Sequence, residues 1–404
     1  MTAEWEDCMI YRDFKDKKLS LLGFGAMRLP QNADGSVNEE LVADMVKHAM
    51  DHGVNYYDTA YPYHNGESER VMGRVLSAYP RDSYYLATKY PGHQISATYD
   101  PKAVFEDQLK KCGVEYFDFY LLHNVYENSI KTYTDPQWGI MDYFLEQKRL
   151  GKIKHLGFST HGGLDVMKEF LELYGKEMEF CQIQMNYLDW TLQNAKAKYE
   201  LLAEYEIPVW IMEPVRGGRL AKLDEESEAR MKEMRPDESV AAWCFRYLQG
   251  FDKIGMILSG MSDMAQMKDN VKTFEAEKPL TDEEQQFLTA IAEGMKKAVP
   301  CTACRYCVEG CPMKLDIPML LAIYNDLKFT PSTNVSMRIE ALPEHKKPSV
   351  CVGCGRCTRI CPQKIDIPQA MKDFEVELGK LPSWEDVSRE REEAQKKNAE
   401  KYAE

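Results

Sequence analysis

The sequence predicts an α/β fold: a closed (β/α)8 barrel, the TIM-barrel fold, followed by a small α-helical domain. Eight apolar, β-rich runs alternate with helix-period segments over roughly the first 275 residues. Near-continuous apolar strands joined by helices indicate a parallel sheet that is covered on both faces. Eight such repeats in about 260 residues favour a closed barrel over an open sheet. Eight of the 12 cysteines follow residue 295, which indicates a second domain there.

The barrel elements follow in regular order along the chain. The predicted strands are Leu19–Met27, Val54–Ala60, Tyr84–Thr88, Phe117–His123, Ile153–Ser159, Phe180–Asn186, Pro208–Met212 and Ile254–Ser259. The predicted helices are Glu39–His52, Ser68–Ser77, Pro101–Cys112, Gly139–Leu150, Asp165–Tyr174, Ala195–Tyr205, Ser239–Leu248 and Asp263–Thr273. Gly53, Gly113 and Gly151 lie just beyond three of these helices, as is typical of helix C-termini. Before the first barrel strand, Met9–Phe14 and Lys17–Leu19 predict a β-hairpin.

Composition and charge narrow the class of protein. The chain has 51 Lys+Arg and 65 Asp+Glu, so its formal net charge is −14, and 44% of its 404 residues are hydrophobic. These values are typical of a soluble globular protein and disfavour a nucleic-acid partner, which needs a basic face. The sequence contains neither a run long enough for a membrane span nor an apolar signal core near Met1. We therefore expect a cytoplasmic protein.

Four ionisable side chains follow the ends of predicted strands and suggest a reaction. They are Asp58, Tyr63, Lys89 and His123. We expect them to meet, because the C-terminal ends of barrel strands share one mouth. A lysine ammonium lowers the pKa of a tyrosine, a carboxylate keeps the lysine charged, and a histidine orients a carbonyl oxygen. The quartet predicts carbonyl reduction with hydride from a bound cofactor, although each residue alone also has an ordinary structural role.

These residues carry a resemblance to a known family. Residues of about 9–275 resemble the aldo-keto reductase superfamily, on the Asp58–Tyr63 pair, Lys89 after the third strand and His123 after Leu121-Leu122. The resemblance implies that Tyr63 donates a proton, that Lys89 and Asp58 activate it, and that His123 orients the substrate. It also implies a nicotinamide cofactor, NAD(P)H, in contact with Ser159, Gln182, Gly260, Ser262, Gln266 and Asn270. The helix that starts near Ser262 would offer its N-terminus to a phosphate.

Several positions depart from the family pattern. Thr160 stands where the family has Asn, Met212 where it has a stacking aromatic residue, and Glu213 where it has a pyrophosphate-binding Ser. The basic residue for a 2′-phosphate aligns near Ser262-Asp263. These departures make NADH at least as plausible as NADPH and leave FMN as an alternative cofactor.

Two arginines offer the positive charge that these departures remove. Arg216 and Arg219 lie in the loop after the seventh strand and are candidates for phosphate binding. The alternative is that both are solvated loop residues.

The second domain contains a duplicated cysteine motif. Residues 301–312 and 351–362 both read C-x2-C-x2-C-x3-C-P, with a period of 50 residues. This spacing is typical of two-cluster bacterial ferredoxins, in which the fourth cysteine of each run serves the other cluster. The rule predicts two 4Fe-4S clusters, one held by Cys301, Cys304, Cys307 and Cys361, the other by Cys351, Cys354, Cys357 and Cys311. Zinc is the alternative, but it typically uses two separated hooks.

The chain therefore divides into a barrel at 1–280, a ferredoxin-like domain at 281–375 and a charged tail at 376–404. Leu280–Lys297 predicts a bridging helix, which begins with the capping sequence Thr281-Asp282-Glu283-Glu284. Between the cysteine runs, Leu320–Leu327 predicts a helix and Thr330–Asn334 a loop. The tail from Trp384 onward predicts a solvated or frayed helix, with a partner contact as the alternative.

Together these features predict an iron–sulfur oxidoreductase that reduces or oxidises a carbonyl- or alcohol-type small molecule at Tyr63. The two clusters would relay electrons to or from an external carrier or a cofactor in the barrel. One alternative is an electron-transfer or redox-sensing protein whose barrel is a docking scaffold. Others are a flavin-dependent reductase on the same barrel and clusters that only stabilise their domain.

Overall fold

The structure is a computed structural model and describes residues 9–295, 299, 301, 303–329 and 331–400. Within these residues, ten strands form two sheets. The strands are β1 (Tyr11–Phe14), β2 (Lys17–Ser20), β3 (Leu22–Gly25), β4 (Tyr56–Asp58), β5 (Tyr85–Tyr90), β6 (Phe117–Leu122), β7 (Ile153–Thr160), β8 (Cys181–Gln184), β9 (Val209–Met212) and β10 (Ile254–Ser259). The last eight close a parallel barrel in the order β10-β3-β4-β5-β6-β7-β8-β9. The predicted (β/α)8 barrel is confirmed.

The predicted hairpin is also present and plugs the barrel. β1 and β2 pair antiparallel, from Tyr11 opposite Ser20 to Phe14 opposite Lys17. The Phe14 ring packs among interior aromatic rings, 5.2 Å from Trp210 and 5.5 Å from Phe119 between centroids. The single strand predicted at Leu19–Met27 is wrong in one respect, because it divides between β2 and β3. The hairpin thus fills the N-terminal end of the barrel and leaves the opposite end for a site.

Helices surround the barrel at the predicted places. They are α1 (Glu39–Asp51), α2 (Glu67–Leu76), α3 (Pro101–Cys112), α4 (Ser129–Thr134), α5 (Ile140–Arg149), α6 (Leu164–Tyr174), α7 (Asp189–Leu192), α8 (Ala195–Glu204), α9 (Glu225–Met234), α10 (Val240–Gln249), α11 (Met264–Phe274) and α12 (Asp282–Met295). Short 3-10 turns lie at Ala26–Arg28, Tyr63–Gly66, Arg81–Ser83 and Arg216–Gly218. The helices α4, α7 and α9 were not predicted, and all three belong to loops that follow strand C-termini.

The predicted bridging helix starts where its capping sequence indicates. In α12 the Thr281 N–H donates to Glu284 Oε2 at 2.8 Å, and the Glu284 N–H donates to Thr281 Oγ1 at 3.3 Å. This reciprocal pair is a capping box, which satisfies two backbone donors that a helix start otherwise leaves open. The end of the prediction, residues 296–297, lies outside the described residues.

The C-terminal domain repeats one helical unit twice. Its helices are α13 (Tyr306–Glu309), α14 (Ile317–Phe329), α15 (Thr333–Glu340), α16 (Arg356–Ile360), α17 (Ile367–Leu378) and α18 (Trp384–Glu400), with 3-10 turns at Glu344–Lys346 and Pro348–Val350. The long helices of the two repeats pack on each other, with the Tyr324 and Phe374 rings stacked 5.2 Å apart. The helix predicted at Leu320–Leu327 lies within α14. The predicted loop Thr330–Asn334 is helical from Thr333 onward, where α15 begins, and its first residue lies outside the described residues.

A buried ion-pair network joins the C-terminal domain to the barrel. Arg216 of the barrel is 3% exposed and pairs with Asp189 after β8 and with Asp326 on α14. The Gln193 side-chain amide also donates to Asp326, at 2.8 Å. Charges removed from water need partners of opposite sign, so these contacts hold α14 against the barrel mouth.

The tail helix also packs on the barrel. Its first residue, Trp384, is 3% exposed and forms an apolar cluster with Tyr126 of the barrel and Met337 of α15. Near its other end, the Asn398 side chain donates to the Asn65 carbonyl at 3.0 Å. The predicted helix is present, but the predicted solvation is wrong at its start, because the Trp384 ring is buried against the barrel.

Among the described residues, no helix is both long and apolar enough to cross a membrane.

We expect Asp326→Asn to weaken the attachment of the C-terminal domain. The amide leaves the buried Arg216 with one carboxylate instead of two, and losing one partner of a buried pair costs about 3 kcal/mol. The free energy of unfolding, measured by urea titration without oxygen, reports this loss. Asp373→Asn on the exposed face of α17 is the matched control. Equal stability of the two variants would contradict this account of the interface.

Candidate active site

A cavity of about 930 Å³ opens at the C-terminal ends of the barrel strands. Its barrel side contains three members of the predicted quartet: Asp58, Tyr63 and His123. The C-terminal domain and the tail complete the wall with Ser332, Thr333, Asn334, Met337, Trp384 and Arg391. The cavity is therefore built by both halves of the chain, which the division into separate domains did not predict.

Lys89, the fourth member of the quartet, lies fully buried beneath the cavity floor on β5. Its ammonium donates to Asp58 Oδ1 at 2.5 Å, to the Thr59 carbonyl at 2.8 Å and to the Tyr63 hydroxyl at 3.4 Å. Burial disfavours the ammonium, but Asp58 and Tyr63 outweigh it and raise the pKa of Lys89. The lysine is therefore charged at neutral pH and connects the carboxylate to the phenol. The structure brings the predicted quartet together.

The electrostatics of Tyr63 differ from the expectation. Burial raises the pKa of the Tyr63 phenol, and the opposing effects of Lys89 and of Arg391 on the tail do not reverse that shift. The expected net lowering by Lys89 is wrong here, because removing a phenolate from water costs more than the nearby cations return. The hydroxyl is consequently protonated at neutral pH, the state that a proton donor needs.

Three neutral imidazoles surround the upper part of the site. His123 lies against Tyr63, with ring centroids 5.7 Å apart, and against His93, at 4.2 Å. Burial lowers the pKa of His123 well below its usual value. It also lowers the pKa of His93 to about 3 and the pKa of His161 to about 4. All three line the cavity as uncharged rings. His93 and His161 were not identified from the sequence, because neither belongs to the motif that the quartet forms.

Two predicted cofactor residues lie side by side on neighbouring strands. Ser159 on β7 is in register with Gln182 on β8, and both line the cavity. Ser159 Oγ accepts the Asn124 N–H at 2.8 Å, whereas Gln182 Oε1 is buried with no hydrogen-bond partner among the described residues. An orphaned amide oxygen facing a cavity fits a ligand that donates a hydrogen bond, such as a carboxamide. Thr160 is used internally, since its hydroxyl donates to the Val125 carbonyl at 2.6 Å.

The four predicted residues after β10 also line the cavity: Gly260, Ser262, Gln266 and Asn270. The helix start beside them differs from the expectation. Asp263 caps α11, with its carboxylate accepting the Gln266 N–H at 2.8 Å. A carboxylate at this helix N-terminus occupies the place offered to a phosphate and repels a second negative group.

The arginine that faces the cavity is a different one from the arginine predicted. Arg216 is buried in the ion-pair network with Asp189 and Asp326, so its predicted role in phosphate binding is wrong. Arg28, at the end of the turn after β3, is exposed and lines the cavity. Its side chain lies close to the backbone of two loops, at Gly217 and Gly260. A Cβ atom added at Gly217 would stand only 2.8 Å from Arg28 Nη2, and one added at Gly260 only 3.3 Å from Arg28 Cβ.

Arg28 also lies near Glu213, the residue that stands where the family has a pyrophosphate-binding Ser. Burial raises the pKa of Glu213, and the neighbouring Asp189 adds to the rise, whereas Arg28 opposes it. The positive charge of Arg28 thus offsets part of the repulsion that Glu213 would exert on a phosphate. Arg28 follows the end of the first barrel strand, a position that indicates a site residue in a barrel of this kind.

The eight clustered cysteines line two cavities in the crossed sets that the motif predicts. One cavity contains Cys301, Cys304, Cys307 and Cys361, and the other contains Cys311, Cys351, Cys354 and Cys357. The two binding loops share a backbone path, with left-handed residues at Ala303 and Arg305 in one and Gly353 and Gly355 in the other. Within the described residues, no group of three or more Cys, His, Asp or Glu side chains is arranged to hold a single metal ion. In a 4Fe-4S cluster each thiolate instead binds a separate iron.

This arrangement defines a class of protein: a barrel oxidoreductase with a fused iron–sulfur domain. The chain belongs to the aldo/keto reductase family, whose model matches residues 21–293. A 4Fe-4S dicluster domain follows and matches residues 300–365.

Relatives support the assignment to the family over about 70% of the chain. The uncharacterized oxidoreductase YqkF of Bacillus subtilis is 25% identical over 303 residues, 68% of this chain and 92% of that protein. The NADH-specific methylglyoxal reductase of Escherichia coli is 24% identical over 328 residues, 70% of this chain and 97% of that protein. Among solved structures, the holo form of an aldo-keto reductase from Bacillus halodurans is 27% identical with a TM-score of 0.57, covering 70% and 96% of the two chains.

We expect the neutral state of His93 to make the protein less stable in mild acid. An unfolded histidine has a pKa of about 6.5 and binds a proton well before the folded His93, so stability is complete above that pH and falls below it. Between pH 7.5 and 5.5 the loss attributable to His93 is about 1.4 kcal/mol. Urea unfolding at both pH values should show that His93→Asn loses this much less than the parent. The exposed His345→Asn is the control, and a loss equal to that of the parent in His93→Asn would refute the argument.

Proposed function

We propose that the protein is an iron–sulfur aldo-keto reductase that uses NADH to interconvert a small carbonyl compound and its alcohol. The observation that carries the proposal is the Lys89 ammonium, fully buried and donating to both Asp58 and Tyr63 at the floor of the cavity. A buried charge costs free energy unless it is paired, and here both partners belong to the predicted proton-transfer group. A scaffold without chemistry would not require this arrangement.

Tyr63 is the proposed proton donor to the carbonyl oxygen. Its protonated hydroxyl faces the cavity, and the Lys89 ammonium at 3.4 Å stabilises the phenolate that forms when the proton leaves. Asp58 keeps Lys89 charged and oriented throughout. His123, uncharged, offers a hydrogen bond to the same oxygen without competing to protonate it. In the alcohol direction the same groups accept the proton.

The cavity has the donor set for a nicotinamide dinucleotide. Ser159 and Gln182 would hold the carboxamide, and Gly260, Ser262, Gln266 and Asn270 would contact the adenosine side. Arg28 would supply the positive charge for the pyrophosphate beside Glu213. When bound, the nicotinamide supplies the hydride that reaches the carbonyl carbon. NADH is favoured because the Asp263 carboxylate at the start of α11 repels a 2′-phosphate, and the Escherichia coli relative is named as NADH-specific.

The two cysteine cavities fit two 4Fe-4S clusters with crossed ligand sets. When bound, the clusters supply one-electron transfer. The segment between the two cysteine runs provides Ser332, Asn334 and Met337 to the cavity wall, so the cluster domain and the reaction site are adjoining parts of one structure. Cys304 and Cys354 are exposed, as are the nearby Tyr306, Val352 and Ile360. The exposed residues beside the two cysteine cavities are the proposed contacts for an external electron carrier.

FMN is the second candidate for the barrel cofactor. Met212 lines the cavity where an aromatic ring stacks on the nicotinamide in the family, so one feature of nicotinamide binding is missing. Acid extraction of the purified protein separates the two candidates: release of a fluorescent flavin would favour FMN. Saturable NADH binding by flavin-free protein would favour the nicotinamide.

Replacing Tyr63 with Phe is expected to reduce carbonyl reduction by a factor of about 100 or more, because the proton donor is lost. Binding of NADH should remain within about twofold of the parent, since the phenol does not belong to the proposed dinucleotide contacts. Steady-state rates and NADH fluorescence titration measure the two effects. Tyr61→Phe is the matched control, because this neighbouring tyrosine lies outside the main cavity. Full turnover in Tyr63→Phe would exclude Tyr63 as the proton donor, whereas no turnover in the parent would favour the scaffold alternative.

Cysteine variants are expected to group by cavity rather than by sequence run. Cys304→Ser and Cys361→Ser should perturb one cluster, and Cys354→Ser and Cys311→Ser the other, because each pair lines one cavity. Loss of a cluster reduces the iron content from about eight to about four atoms per chain. Iron analysis and electron paramagnetic resonance after dithionite reduction identify which cluster is lost. Cys181→Ser in the barrel should keep both, and grouping by sequence run would contradict the crossed assignment.

A further inference from the structure

The tail helix α18 brings an arginine to the cavity that contains Tyr63. Arg391 lines this cavity with Tyr63 and His123 although it is more than 250 residues away from both in sequence. Its guanidinium carbon lies 5.3 Å from the centre of the Trp384 ring on the same helix. The Trp384 ring in turn stacks on the His93 ring, with the two ring centroids 5.9 Å apart. These contacts place a cation on the side of the cavity where the carbonyl group would react.

Arg391 lacks the counter-charge that its neighbours on the helix have. Arg389 pairs with Asp386 at 2.5 Å, and Lys396 pairs with Glu392 at 2.8 Å. No carboxylate within the described part of the chain forms an ion pair with Arg391, although its side chain is largely buried. Burial lowers the pKa of Arg391, and Tyr63 is the ionisable group that counters this. A guanidinium withdrawn from water without a carboxylate is costly unless a ligand supplies the negative charge.

We propose that Arg391 binds a carboxylate of the substrate, which makes the substrate a carbonyl compound, or the corresponding alcohol, that carries a carboxylate. This inference rests on the carbonyl chemistry proposed for Tyr63 and names its substrate class. A guanidinium presents a planar pair of N–H donors that matches the two oxygens of a carboxylate. Arg391 is thus a specificity-determining residue supplied by the tail.

The charges around the site favour a carboxylate over a phosphate. The ammonium of Lys89 is already matched by Asp58, so it adds no free positive charge to the cavity. Arg28 lies by Gly217 and Gly260, where the dinucleotide would bind. One unpaired guanidinium balances one negative charge, whereas a phosphate monoester carries nearly two at neutral pH. Trp384 and Met337 add apolar walls beside Arg391, which suit the carbon skeleton of such a substrate.

Two matched probe pairs test the inference on the holoenzyme. The first pair measures binding: benzoate and the neutral benzamide, by isothermal titration calorimetry. The second measures turnover with NADH: 4-carboxybenzaldehyde and its neutral methyl ester. The variants are Arg391→Gln, which removes the charge, Arg391→Lys, which keeps it, and Arg389→Gln, an exposed control on the same helix.

The parent is expected to bind benzoate, and Arg391→Gln to weaken that binding about 10- to 100-fold, as for a charge-assisted hydrogen-bonded pair. Benzamide binding should change less than about threefold. Arg391→Lys should restore part of the affinity, and Arg389→Gln should match the parent. In turnover, Arg391→Gln should raise KM for the acid with little change in kcat and should remove the preference over the ester.

The outcomes separate this inference from the proposed function. Benzoate affinity that is absent in the parent, or equal in the parent and Arg391→Gln, overturns the carboxylate site. Reduction of both aldehydes with an unchanged acid-to-ester ratio in Arg391→Gln also overturns it, while the chemistry at Tyr63 stands. Arg391-dependent benzoate binding without reduction of either aldehyde supports the carboxylate site and counts against the proposed carbonyl chemistry. Preferred, Arg391-dependent binding of phenyl phosphate over benzoate would overturn the commitment to a carboxylate.

Discussion

The buried guanidinium of Arg216 determines how the two halves of the chain meet. It belongs to the barrel, yet one of its two carboxylate partners, Asp326, lies 110 residues further along on α14. An unpaired charge at this depth would be strongly destabilising, so the C-terminal domain must sit where Asp326 reaches the barrel mouth. The segment between the cysteine runs then becomes a wall of the cavity, and the tail that follows is positioned to cross it.

The free-energy cost of burying a charge also explains which side chains are charged inside the cavity. Lys89 is neutralised internally by Asp58, and the surrounding histidines are uncharged because burial disfavours their protonated forms. Among the described residues, two cations line the cavity in different surroundings: Arg28 beside the loops after β9 and β10, and Arg391 beside Trp384 on the tail. A site with neutral imidazoles and two separate arginines is suited to a ligand pair with negative groups at two places.

A 4Fe-4S dicluster domain follows the aldo/keto reductase barrel in the same chain. Because each cysteine cavity takes one residue from the opposite repeat, the two halves of the domain depend on each other, as the packing of α14 on α17 also shows. In the proposed function, the barrel cofactor would transfer two electrons as hydride, and each of two clusters would transfer one electron. Under the proposed function, the fusion would combine a two-electron site and two one-electron sites within one protein.

The sequence by itself determined the barrel, the Asp58–Lys89–Tyr63 group, the candidate cofactor residues on the strands and the crossed cysteine sets. Strand ends in a barrel converge by topology, and cysteine spacing is local, so both are readable from linear order. Tertiary structure alone decided that Arg216 pairs with Asp326 instead of facing the cavity, that burial raises the pKa of Tyr63, and that the tail covers the site. Those outcomes depend on contacts between distant segments and on desolvation, and neither is encoded in the spacing of residues along the chain.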